Sequence, residues 1–246
     1  MRHLLLIVFT ASIAIQPPAE ARQIISADLY LDTVAEMVRL PTEPHCAMNW
    51  AVARLEFQTQ VPISAETIPG ECWGQQPSTE GAVVLKNITV RGALDRLIML
   101  DPRYAWRVVD GVIIVRPQSA WDDPLHLLNR AMSPFQTTDT RLGPTLDEIQ
   151  NAIGLNPILR HEDVPIYRGD QPHFVVNFPG GTVFEALNAI VREHKDLSWH
   201  VSYCGPEQTV DNMIVAIASR DDRNTRLYTA LLKPGSRPSP CAKSHD

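Results

Sequence analysis

Two stretches of this chain are copies of one another, and a duplication constrains the fold more than any composition does. Residues 83–116 read VVLKNITVRGALDRLIMLDPRYAWRVVDGVIIVR. A shift of 93 positions lays Thr89 on Thr182, Ala93 on Ala186, Leu94 on Leu187, Leu97 on Ile190 and Trp106 on Trp199 without a gap. Between Val90 and Ile98 the apolar residues recur at i, i+3, i+4, i+7 and i+8, the stripe of a helix that lies on a flat surface. Thr89 and Thr182 stand at the N-cap position, and Glu185 completes a capping box in the second copy. Everything repeated is core, cap or turn, so the pattern speaks about architecture before activity.

The unit reads as a strand (Val83–Ile88), a helix (Val90–Leu100) stopped by Asp101-Pro102, and a hairpin. The hairpin runs Tyr104–Val109 and Val112–Val115 around Asp110-Gly111, a strong turn signal. Upstream, a helix is expected from Ser26 or Asp28 to Leu40 and another from about Asn49 to Gln60. A strand over Val61–Ile68 follows, which Pro62 confines to an edge or a first position. In the second half a capping box at Thr145–Glu148 opens a helix ending before Gly154, and Val164-Pro165-Ile166 echoes Val61-Pro62-Ile63. Phe174–Phe178 is a strand, Pro179-Gly180-Gly181 a turn, and Ser198–Tyr203 with Met213–Ala218 the second hairpin. The expected class is α+β, as two tandem αββαββ-type sandwiches with helices packed on mixed sheets. Residues 22–117 form the first domain and 145–220 the second; 118–144 are a linker with a short helix over Asp122–Met132, and 221–246 a polar tail.

Residues 1–21 combine a basic start, an apolar run from Leu4 to Ile15 and the ending Ala19-Glu20-Ala21, the pattern of a secretory signal peptide. The apolar run breaks at Gln16-Pro17-Pro18, too short for a membrane span, so no span is expected in the mature chain. The net charge of −6, without a basic stripe, argues against a nucleic-acid partner. Four cysteines in an exported chain favour disulfides; neighbourhood pairs Cys46 with Cys72 and Cys204 with Cys241, one of three connectivities. The eight histidines show no metal-ligand spacing, and there is neither a nucleophile elbow nor a phosphate loop. No catalytic residue, metal or cofactor is therefore expected, and Trp106 and Trp199 are read as core packing.

The run VVLKNITVRGALDRLI followed by YAWRVVDGVIIV resembles the short N-terminal domain of secretins and TonB-dependent receptors, the STN domain. The resemblance rests on Thr89, Ala93, Leu94, Leu97 and Val112–Val115, and on Thr182, Ala186, Leu187 and Ile190. The resemblance is read here as a tandem pair without the barrel of those larger proteins. Members are periplasmic modules that dock proteins or pass signals, so the resemblance implies a periplasmic or secreted, non-enzymatic interaction or adaptor module. The alternatives are a binder of cell-wall or sugar fragments and a hydrolase with dispersed catalytic residues. Docking of another envelope protein is expected by strand addition at the edge carrying Ile63, Ala65 and Ile68, where Pro62 limits promiscuous pairing.

Overall fold

The structure, a computed structural model, describes residues 27–40, 47–70, 82–137, 175–193, 197–203, 213–221 and 224–231. The proposed signal peptide, all four cysteines, the helix at 145–154 and Val164-Pro165-Ile166 lie outside the described residues. The fold is α+β. Its first half runs α1 (Ala27–Leu31), β1 (Val34–Leu40), α2 (Ala47–Thr59), β2 (Ile63–Glu66), β3 (Val83–Thr89), α3 (Val90–Leu100), β4 (Tyr104–Val109) and β5 (Val112–Pro117).

The repeated signals act as their chemistry dictates. Thr89 takes an extended backbone and its hydroxyl accepts from the Gly92 N–H at 3.1 Å, while Val90, Ala93, Leu94 and Leu97 turn inward. Asp110 and Gly111 both have positive φ (52° and 82°), the two-residue turn whose twist matches the strands it joins. The expected helix from Ser26 or Asp28 to Leu40 is corrected: it stops at Leu31, and Val34–Leu40 is a strand paired antiparallel to β3. Val34 and Met37 are exposed, while Ala35 and Val38 are buried. Pairing with β3 overrides the helical reading of this stretch.

The second half begins earlier than the sequence suggested. Residues expected to be linker hold 3₁₀ turns at Gln118–Ala120 and Leu127–Asn129, then β6 (Ala131–Met132) and β7 (Phe135–Gln136), with no α-helix over Asp122–Met132. These short strands pair antiparallel with β9 (Gly181–Thr182) and β8 (Asn177–Phe178). Their register copies β1 on β3: Val34 faces Thr89 and Val38 faces Leu85, as Ala131 faces Thr182 and Phe135 faces Phe178. The Val90 N–H donates to the Thr33 carbonyl at 2.9 Å, and Val183 repeats this with Arg130 at 3.1 Å. Each unit thus opens with a strand ahead of the expected αββαββ order, and the duplication extends upstream at an offset of 97.

Then come α4 (Val183–Glu193), β10 (Leu197–Tyr203), β11 (Met213–Asp221) and β12 (Asn224–Leu231). Thr182 and Glu185 form the expected capping box, with the Thr182 N–H donating to the Glu185 carboxylate at 2.7 Å and the Glu185 N–H to the Thr182 hydroxyl at 3.2 Å. The tail expected from residue 221 is also corrected, because β12 pairs antiparallel with β11 along its length.

One six-stranded sheet, ordered β12-β11-β10-β2-β5-β4, runs through both repeats. β2 lies at its centre, parallel to β5 on one side and to β10 on the other. The strand carrying Ile63 and Ala65 is therefore not an edge; its free side is filled by the chain's own second hairpin, and Ile68 lies just beyond it. Pro62 precedes the strand, where its missing N–H costs no ladder bond. Side chains alternate across this sheet. Ile63, Ala65, Ile113 and Val115 join a core under α2 and α3, whereas Val112, Ile114, Trp199, Val201 and Tyr203 join a second core under α4.

Candidate functional site at the junction of the repeats

The polar side chains with the most chemistry meet where the two units join. On the α4 side, β2 presents Glu66 and β5 presents Arg116, with side-chain exposures of 0% and 1%. Arg116 Nε donates to Glu66 Oε2 at 2.7 Å. The second unit supplies the rest. Tyr203 Oη donates to Glu66 Oε1 at 2.6 Å, His126 Nε2 lies 3.0 Å from the same oxygen, and Arg116 Nη1 donates to Asn129 Oδ1 at 3.2 Å. The guanidinium also stacks over Phe184, 4.6 Å from its centroid.

Donor counting fixes the imidazole. His126 Nδ1 lies 3.2 Å from Arg116 Nη2 and 3.3 Å from the Leu128 N–H, both of which can only donate. Nδ1 therefore accepts, and Nε2–H donates to Glu66 Oε1. Burial alone would raise the Glu66 pKa, but the His126 hydrogen bond, the Arg116 charge and the Tyr203 hydroxyl outweigh it and hold the carboxyl below its ordinary value.

On the opposite face, α2 contributes Glu56 and β10 contributes Ser198 and His200. His200 Nε2 lies 2.9 Å from Glu56 Oε2 and 3.2 Å from Ser198 Oγ, while Glu56 Oε1 accepts from the Ile63 N–H at 2.9 Å. A nucleophile relay needs the carboxylate on one ring nitrogen and the hydroxyl on the other. Here both crowd Nε2, so Ser198, His200 and Glu56 do not form that relay. Both clusters join the units, as does Ser64 Oγ, which accepts from the Trp199 N–H at 3.2 Å. Chemically they act as clasps: a half-removed buried pair is costly, which ties each unit to its neighbour.

The repeated tryptophans carry a smaller device. Trp106 Nε1 donates to Asp95 Oδ1 at 2.9 Å, and Trp199 Nε1 donates to Asn188 Oδ1 at 2.8 Å, both pairs again 93 positions apart. Each bond latches the helix of a unit to its hairpin. The first latch is exposed and uses a carboxylate; the second is buried and uses a neutral amide, as the cost of burying a charge requires. Both rings pack on a core, Trp199 within its own at 0% exposure and Trp106 partly buried against the margin of the other.

Of the residues singled out from sequence, Thr89 and Thr182 cap their helices, and Ala93, Leu94, Leu97, Ala186, Leu187 and Ile190 are buried. None of these enters the clasps. Glu56, Glu66, Arg116, His126, Asn129, Ser198, His200 and Tyr203 escaped sequence reasoning because they come from both units and share no spacing. One signal was legible: Glu66 and Arg116 are charges inside otherwise apolar strands, which demands a buried partner.

No family model matches the chain, and no curated protein or solved structure matches it either.

Proposed function

We propose that this chain is an exported, non-enzymatic protein-interaction or adaptor module of the bacterial periplasm or cell envelope, a tandem pair of units resembling the STN domain. The observation that carries this reading is the junction itself: β2 of one unit accepts β10 of the other by parallel strand pairing. Strand addition is thus a docking mode that this fold already uses. The reading is further supported by the ionisable groups of the clasps, which are buried and bonded to one another. The order β3–α3–β4–β5, with its threonine cap, is also what the resemblance implies.

The test is cross-linking in the exporting cell, followed by identification of the captured proteins and a thermal-shift screen of the purified chain with cell-wall fragments. The reading expects a small, reproducible set of envelope proteins and no stabilising fragment. A fragment that raises the melting temperature, or is turned over, together with no enriched protein, would replace it with ligand binding or hydrolysis.

A further inference from the structure

The duplication makes β4 and β10 the same strand in two settings. β10 pairs with β2, His200 opposite Ala65 and Val201 opposite Glu66. The Val201 carbonyl accepts from the Thr67 N–H at 2.9 Å, and the Trp199 N–H donates to Ser64 Oγ at 3.2 Å. The corresponding strand β4 ends the sheet, and among the described residues no strand covers its outer side. The Arg103 carbonyl accepts from the Gln118 N–H toward β5, so by alternation Trp106 and Val108 aim their N–H and C=O groups outward, as Trp199 and Val201 do. Val108 is 40% exposed. Cations flank this edge on both faces: Arg91 lies over Trp106 at 5.9 Å and Arg107 over Trp121 at 4.5 Å. Their ion pairs with Asp28 and Asp122 are solvent-exposed and weak enough to exchange.

We propose that the β4 edge, Trp106 to Val108, is a docking site for an extended segment of another protein in which apolar and acidic residues alternate. The segment adds parallel to β4 in the register that β2 keeps on β10. A second copy is the poorer occupant, since pairing β4 with β4 would bring two arginine-flanked edges together. This deepens the interaction-module reading and rests on it.

The test titrates the isotope-labelled full chain with a synthetic peptide of residues 60–68, QVPISAETI, the one strand this edge type is seen to hold. The amides of Trp106, Arg107 and Val108 are expected to move. A spin label on the peptide N-terminus should broaden the Tyr104 end of β4 rather than the Val109 end. N-methylation at the peptide position of Thr67, whose N–H would face β4, should weaken binding about tenfold or more, whereas N-methylation at Glu66 should not. A peptide with lysine for Glu66 should bind more weakly, by a margin that closes at high salt. Val108→Pro, which removes an outward N–H and no bond to β5, should abolish binding in the folded protein.

Unmoved β4 amides, shifts confined to β10, equal effects of the two N-methyl groups, or broadening at Val109 each overturn the proposal. So does self-association without peptide that Val108→Pro removes. Because the peptide variants leave the protein intact, the result does not depend on that substitution folding. Should the peptide fail while the cell cross-links recover envelope proteins, only this edge is wrong; failure of both removes the interaction reading as well.

Discussion

Replacing Asn188 by aspartate converts the buried Trp199 latch into the chemistry that its exposed twin, Asp95 on Trp106, already has. Asn188 is 1% exposed, its Oδ1 accepts from the indole at 2.8 Å, and its Nδ2 has no hydrogen-bond partner. A protonated aspartic acid fits this site, with its hydroxyl where the idle Nδ2 was. A carboxylate would keep one hydrogen-bond donor there, the Trp199 indole. Full burial raises a carboxyl pKa by roughly 3–5 units; allowing for the indole bond, we take about 3. At about 1.4 kcal/mol per unit this amounts to about 4 kcal/mol, a large part of a typical domain's stability. Because the folded pKa lies above the unfolded one, the cost is absent below about pH 4, grows as pH rises between the two values, and levels off above about pH 7. Urea unfolding of the wild type, Asn188→Asp and Asp95→Asn between pH 4 and 8 measures it. Asp95→Asn, on the exposed face of α3, should stay within about 0.5 kcal/mol throughout. A pH-independent cost for Asn188→Asp, or equal costs at the two sites, would refute the idea that burial selects the amide.

The remaining expectations follow from the core and the clasp. Leu94→Ala and Leu187→Ala should each cost about 2–5 kcal/mol, and both should lower one shared melting transition because a single sheet spans the two units. Glu66→Gln should cost about 3–5 kcal/mol in urea unfolding by leaving Arg116 without its counter-charge, whereas Glu66→Leu with Arg116→Met should cost far less. With its folded pKa held below the ordinary value near 4.5, Glu66 contributes stability that is present above that value and lost as pH falls through the folded one; in Glu66→Gln that part of the acid slope should vanish. Thr89→Ala should cost about 1 kcal/mol, read by the same unfolding assay, through loss of the 3.1 Å cap bond to Gly92.

Local chemistry by itself determined the repeated unit. A threonine cap, a 3.6-residue apolar stripe and an Asp-Gly turn each act within a few residues, so Thr89, Leu94, Leu187 and Asp110-Gly111 were legible in the sequence along with the α+β class. The strand at Val34–Leu40 was not, because its pattern is short and its conformation is set by a partner some fifty residues away. The opening of the second unit was hidden for a similar reason. Its strands are two residues each, and only their register against β8 and β9 identifies them as copies of β1. Tertiary structure alone decided that β2 is central rather than an edge: a strand of four residues, Ile63–Glu66, carries no mark of which neighbour will fill its second side. The clasps depend on that choice. Glu66, Arg116, His126 and Tyr203 become one site only when β10 pairs with β2, since a buried charge finds its partner through space and not along the chain.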